Sequence, residues 1–206
     1  MTYQEFKDFL VFHLWKVGDA QVIAALDTLI LLATSELNRI LKVEQRAMIT
    51  DLPVTALTVP LPTDCREVRN LQLIGVTEME YVIPSQFMRY SQANVANQNL
   101  NVYTVVNNVI QLLGSFSVDV PSTIRLMYYA NLPDFATDGT SWVADDYLDV
   151  LLYATLRHSA PFLREDERVA LWDNMFKDAV VSAMGENEDR KFAGSPLQVK
   201  FGKGIA

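Results

Sequence analysis

The chain has 206 residues, half of them apolar and a fifth charged, with a net charge of −8 and one cysteine. That composition fits a globular protein with a core of its own, in one large domain or two small ones. It argues against a non-specific nucleic-acid binder, whose footprint would be a basic patch or stripe. A lone Cys65 excludes an internal disulfide and fits a reducing compartment, where it reads as a small packed hydrophobe. Glu5 and Asp8 stand where a signal peptide would want no acid. The apolar run 22–33 is interrupted by Asp27 and too short to span a bilayer, so the expectation is a product soluble and intracellular when made.

Residues 2–17 carry Phe6, Phe9, Leu10, His13, Leu14 and Val17 at spacings of three and four, which predicts a helix. Gly18 suits its C-terminal cap and Asp19 the next N-cap. The second helix is predicted to run to about Lys42, with a stripe of Ile23, Leu26, Ile30, Ala33, Leu37 and Ile40. The short break between them predicts a helical hairpin.

Between 44 and 138 the texture changes. Pro53, Pro60, Pro62, Pro84, Pro121 and Pro133 alternate with β-rich segments at 56–59, 67–74, 103–106, 109–113 and 123–129. Asn107-Asn108 predicts a hairpin, because Asn tolerates the positive φ of a tight turn. Residues 84–93 predict a short helix on these strands. Together they predict a small antiparallel β domain inserted between helices. Helix resumes at about Trp142, with Leu148, Leu151, Leu152, Thr155 and Leu156 on one face and Asp145-Asp146 near its N-terminus. Pro161 should end or kink it. The last helix is predicted from about Glu165, through Val169, Trp172, Phe176, Ala179, Val180 and Ala183. The predicted fold class is α+β. An N-terminal helical hairpin (1–43) and C-terminal helices (139–189) form a bundle around the inserted β domain (44–138), followed by an extended segment (190–206).

The motif search finds no reaction. His13 lies on an apolar stripe and reads as a partly buried core or interface residue. His158 has no second metal ligand at helical spacing. Gly114-Ser115-Phe116-Ser117 lacks the glycine that a nucleophile elbow needs, and no phosphate-binding glycine loop is present. Asp145-Asp146 and Arg164-Glu165-Asp166-Glu167-Arg168 read as solvated helix starts. No catalytic residue, cofactor or metal is predicted. Tyr128-Tyr129, at the end of a strand, should point one ring to each face. One is expected in the core; the other, with Asp145 and Asp146, is a candidate subunit interface.

The stretch 190–206 is the most distinctive. It holds Arg190, Lys191, Lys200 and Lys203, no acid, three glycines and no helical period, and it follows the acidic Gly185-Glu186-Asn187-Glu188-Asp189. Without those four cations the remaining 13 basic and 25 acidic residues leave a body of −12. A tail of opposite sign to its body, with apolar Phe192, Pro196, Leu197, Val199 and Phe201 inside it, reads as a docking segment. It is expected to be mobile alone and ordered on a partner.

The order of these pieces resembles the bacteriophage head-to-tail adaptor (connector) proteins. Ala33-Thr34-Ser35-Glu36-Leu37-Asn38-Arg39-Ile40-Leu41 is similar to the end of that family's second helix. Val59-Pro60-Leu61-Pro62-Thr63-Asp64-Cys65-Arg66-Glu67-Val68-Arg69 is similar to its approach to a strand. Ile124-Arg125-Leu126-Met127-Tyr128-Tyr129-Ala130-Asn131-Leu132-Pro133, the following Tyr147-Leu148-Asp149-Val150-Leu151-Leu152-Tyr153-Ala154, and the ending Arg190-Lys191-Phe192-Ala193-Gly194-Ser195-Pro196-Leu197 continue the likeness. Arg157-His158-Ser159-Ala160 stands where the family often has a Glu-Ala pair, which leaves open whether helices are ion-paired there. The resemblance implies a structural virion protein in the neck. Its implied partners are a portal protein, neighbouring copies in a ring, usually twelvefold, and a downstream tail or nozzle protein. DNA would pass through the channel without specific binding, and no membrane is involved. Alternative readings are another neck or tail ring, such as a tail terminator or tail-completion protein, or an uncharacterised soluble enzyme.

Overall fold

The computed structural model describes residues 1–75, 77–92, 101–114, 122–163 and 166–192. It divides the chain into two compact units, Met1–Glu44 with the chain from Leu132 onwards, and Gln45–Asn131.

The helical unit opens with a capping box. The Thr2 hydroxyl accepts from Glu5 N, and the Glu5 carboxylate accepts from Thr2 N at 2.8 Å. Helix α1 (Tyr3–His13) stops before the expected Val17, because the backbone turns left-handed at Trp15, φ +54°. Trp15 N donates to Phe12 O and Lys16 N to Val11 O, the crossed pair of a Schellman end. The cap expected of Gly18 is therefore held by Trp15, and Gly18 takes φ +82° in the turn that follows. Asp19 caps helix α2 (Ala20–Ile40), accepting from Gln21 N and Val22 N.

The buried face of α2 is Val22, Leu26, Leu29, Ile30, Ala33 and Leu37. Ile23 and Ile40, expected on that stripe, lie on the exposed side, since the period runs through Val22 and Leu29 instead. Asp27 does not break the helix. It accepts from the Tyr3 hydroxyl at 2.7 Å and from Lys7 Nζ at 3.3 Å, tying α1 to α2. Among the described residues α2 is the one helix long and apolar enough to cross a membrane. Here its buried face lines the core of the helical unit.

The chain re-enters this unit at Leu132, whose N–H donates to Asn38 Oδ1 at 2.8 Å. Helix α3 belongs to the other unit and is given below; α4 (Phe135–Asp138) is capped by Asp134 and closed by Gly139 at φ +73°. Helix α5 (Trp142–Asp146) is capped by Ser141. Tyr147, outside helical geometry, separates it from α6 (Leu148–Leu163). Pro161 sits in the last turn of α6, which continues past it to Leu163. Helix α7 (Asp166–Phe192) is longer than expected. It absorbs the acidic run 185–189 and the first three residues assigned to the extended tail. Phe6, Leu10, Leu26, Leu37, Val150, Leu156, Phe176 and Ala183 share one core.

One polar cluster crosses this core's margin. Glu36 on α2 accepts from Arg157 Nη2 and stands 3.0 Å from His158 Nε2, both on α6. Arg157 Nη1 also donates to Asp173 on α7 at 3.1 Å, and its guanidinium lies 4.5 Å over the Phe176 ring. The helix–helix ion pair that the sequence left open is formed, by the residues that depart from the family pattern.

The 3-10 turn Glu44–Arg46 leads into the second unit, whose first strand is β1 (Ala47–Val54). The sequence reading missed β1, because Asp51 and Pro53 lie within it and its burial alternates weakly. Then come β2 (Thr58–Pro60), β3 (Cys65–Leu73), β4 (Thr77–Glu78), β5 (Glu80–Tyr81), α3 (Pro84–Gln92), β6 (Val102–Val106), β7 (Val109–Leu113) and β8 (Ser122–Ala130). They make two sheets, ordered β1-β8-β3-β4 and β2-β7-β6-β5. The pairing is not wholly antiparallel, since β5 runs parallel to β6. Asn107 and Asn108, at φ 51° and 60°, turn the β6–β7 hairpin as expected. Leu71, Ile110, Leu112, Ile124 and Leu126 are buried in the core of this unit. Arg46, almost fully buried, donates from Nε to Ala130 O at 2.9 Å and joins the start of β1 to the end of β8. The unit ends at Asn131 rather than near Asp138, because Phe135 belongs to the helical core.

Two outcomes follow for stability. Glu36→Ala leaves Arg157 with Asp173 as its remaining carboxylate, takes the partner from His158, and should cost about 1–3 kcal/mol in urea unfolding, while the Glu36→Leu, Arg157→Met double variant should recover much of that loss. The carboxyl of Asp27 is held below its usual range by the Tyr3 hydroxyl and Lys7, that of Asp51 by Arg125, and that of Asp173 by Lys177 and Arg157. A depressed carboxyl stabilises the fold above its unfolded pKa of about 4 and loses that contribution as pH falls through the folded value. The thermal midpoint should therefore drop below about pH 4, and Asp27→Asn should flatten that limb at fixed ionic strength.

Candidate assembly surface

The predicted docking residues divide at the end of α7. Arg190 is in its last turn, where Nη2 donates to Glu186 Oε1 at 2.6 Å, one turn back on the same helix. Lys191 and Phe192 are the final helical positions. Pro196, Leu197, Val199, Lys200, Phe201 and Lys203 lie outside the described residues, as does the expectation of a mobile tail.

The last turns of α7 are held in place. Asn187 is buried, and its Oδ1 accepts the Glu44 amide at 2.7 Å. Its Nδ2 is buried without a hydrogen-bond partner. Nearby Tyr147, also buried, has its hydroxyl pKa raised by burial, with Arg190 acting in the opposite sense. The acidic run is thus part of a helix packed on its own unit.

Both tyrosines of the candidate interface are buried within the β unit. Tyr128 and Tyr129 are 4% and 3% exposed. They point to opposite faces, but both faces are covered. Tyr128 donates to Asp64 at 3.1 Å, and burial together with Asp64 pushes its pKa up to about 12. Tyr129 accepts from Arg69 Nη1 at 2.8 Å, with that guanidinium 4.7 Å over its ring. Alternation along a strand gave the two directions but not the arginine that roofs the second ring. Asp145 accepts from the Met1 amino group, and Asp146 is exposed on the same short helix.

The candidate chemical groups are likewise engaged. His13 Nδ1 sits 3.0 Å from Phe9 O, and His158 faces Glu36. Cys65 packs at the edge of the β core, where burial pushes its thiol up to about 11, away from thiolate reactivity. Among the described residues no three His, Cys, Asp or Glu side chains converge as metal ligands would.

The surface that the sequence reading missed is apolar. Phe12, Trp15, Val17 and Ile23 are 66%, 83%, 79% and 49% exposed at the α1–α2 turn. Val17 and Ile23 had been assigned to buried stripes. Only the end of α1 at His13 reveals that Val17 is outside them.

None of the curated proteins compared with the chain matches it. The family comparison does. The SU10 adaptor protein family matches residues 1–200, a span that takes in both units and most of the segment after α7. The chain belongs to the SU10 adaptor protein family, which is of the phage head-to-tail adaptor type.

Proposed function

We propose that this chain is the head-to-tail adaptor of a phage virion, forming a ring below the portal that continues the DNA channel and carries the tail. The family match over nearly the whole chain carries this reading. A structural role follows from the same match to an adaptor family. A net charge of −8 suits a channel wall, because phosphates are repelled and DNA slides rather than sticks. The basic segment after α7 suits capture of an acidic portal surface, and alternation in Gln198-Val199-Lys200-Phe201 suits addition of a strand there. The protein is made in the host cytoplasm and resides in the virion neck.

Electron microscopy of the purified protein with and without its portal tests the reading. The expected result is a monomer or weak association alone and a closed ring on the portal, since a preformed ring raises the effective concentration of neighbours. A closed ring in dilute solution without portal, or no ring with it, would contradict this. Changing Lys191, Lys200 and Lys203 together to Ser should leave unfolding unchanged within about 0.5 kcal/mol and slow capture while weakening its salt dependence. Leu197→Ala with Phe201→Ala should instead raise the off-rate. Surface-immobilised portal resolves the two rates.

A further inference from the structure

Helix α1 ends in a conformation that its residue there does not favour. The Schellman end places a left-handed residue after the cap Leu14, and glycine is the residue best suited to that position. This chain has Trp15 there, at φ +54°. A bulky side chain in that conformation is an outlier and carries strain. Burial does not offset it, for the ring is 83% exposed and stacked at 6.4 Å on Phe12, which is itself exposed. Phe12 is also one wall of an open groove of about 470 Å³, whose other apolar walls are Val11, Val17, Ile23 and Leu26. Val17 and Ile23 are exposed as well. An aromatic knob and an apolar groove thus lie side by side on one face and share Phe12.

We propose that this face is a two-fold contact between two copies of the chain in solution, with Trp15 of each copy seated in the groove of the other. The side-by-side placement decides the symmetry. A knob and a groove on opposite sides of a subunit would propagate from copy to copy. On one face, a half-turn about an axis between them brings each knob over the other's groove, and the contact closes at two. Charge favours a second copy as the occupant. The charged groove walls are Lys7 and Asp8, which sum to zero, and Lys16 and Asp19 on the turn also cancel. The chain as a whole is at −8, so copies repel one another over most of their surface and approach at least cost on this neutral face. The apolar area fits a weak dimer. Trp15 and Phe12 bring roughly 150–250 Å² each from either copy, and Val17 and Ile23 extend the patch, short of the roughly 800 Å² per partner of a stable complex. Neighbours around a ring meet through two different patches, so this contact belongs to the free protein and does not rest on the ring reading.

Two experiments on the full chain, without portal, test this. Sedimentation velocity over roughly a hundredfold range of concentration should show a monomer–dimer equilibrium. Trp15→Gly should weaken association about tenfold or more, with a thermal midpoint equal to or above the parent's, because glycine relieves the strained position. Ile23→Ser should weaken it in the same direction. Mixing the two variants should recover part of the association, since the Trp15 of one then meets the intact groove of the other. A parent that stays monomeric throughout, or a Trp15→Gly variant that dimerises like the parent, overturns the proposal. For the second experiment, benzoylphenylalanine is placed at position 15 in a mixture of isotopically heavy and light chains. Photolysis should link it to groove peptides carrying Val11 or Ile23 in the other isotopic form, and the products should stop at the covalent dimer. Links confined to one chain, or a ladder of larger species, overturn the two-fold contact. The ring reading stands or falls separately, on the micrographs with portal.

Discussion

Glu36 joins helices that the chain makes far apart, for its partners Arg157 and His158 lie 121 and 122 residues further on. The rest of the helical unit depends on that closure. Helices α1 and α2 are complete by Ile40, yet Leu26, Leu37 and Leu41 cannot be covered until α6 and α7 return. The intervening unit, Gln45–Asn131, has its own two sheets and its own core, so it shortens the loop that α6 must close. A charged cluster at this position also sets register. Arg157 reaches one carboxylate on α2 and another on α7, and only one axial placement of the three helices satisfies both. Apolar ridges alone would allow neighbouring registers.

The points where the chain leaves and re-enters each unit are fastened in the same manner. Asn187 holds the Glu44 amide and Asn38 the Leu132 amide on the helical side; Arg46 holds the Ala130 carbonyl and the Asp64 carbonyl takes Asn131 N–H on the other. These are backbone groups at element ends, where the regular ladders stop and a side chain or water has to serve. With two side-chain amides on the helical side and a guanidinium and a backbone carbonyl on the other, each unit is closed at its own boundary.

Local rules made much of this legible. The Asp19 cap, the helix at Pro84, the Asn107-Asn108 hairpin and the apolar faces of α6 and α7 depend on neighbours within a few residues. Where the reading failed, the deciding partner was remote. The hydrogen bonds of β1 go to β8, 68 to 82 positions later, and its own residues alternate poorly. Tyr129 is roofed by Arg69 from β3, which no period in β8 announces. Helix α7 passes through Gly185 and an acidic run because Ala183 and Asn187 are buried on one face and hold it there, against the local preference. The candidate assembly surface was hidden for the opposite reason. Trp15 violates the local rule at a helix end, and sequence reasoning assigns such a position to the nearest glycine.

That violation also marks a place where the stability of the fold does not choose the residue. Within the helical unit, close pairing and a continuous core leave little to gain from Trp15; a glycine would make the same turn with less strain. In the proposed assembly the basic segment after α7 would act through charge, and its contribution would fall with added salt.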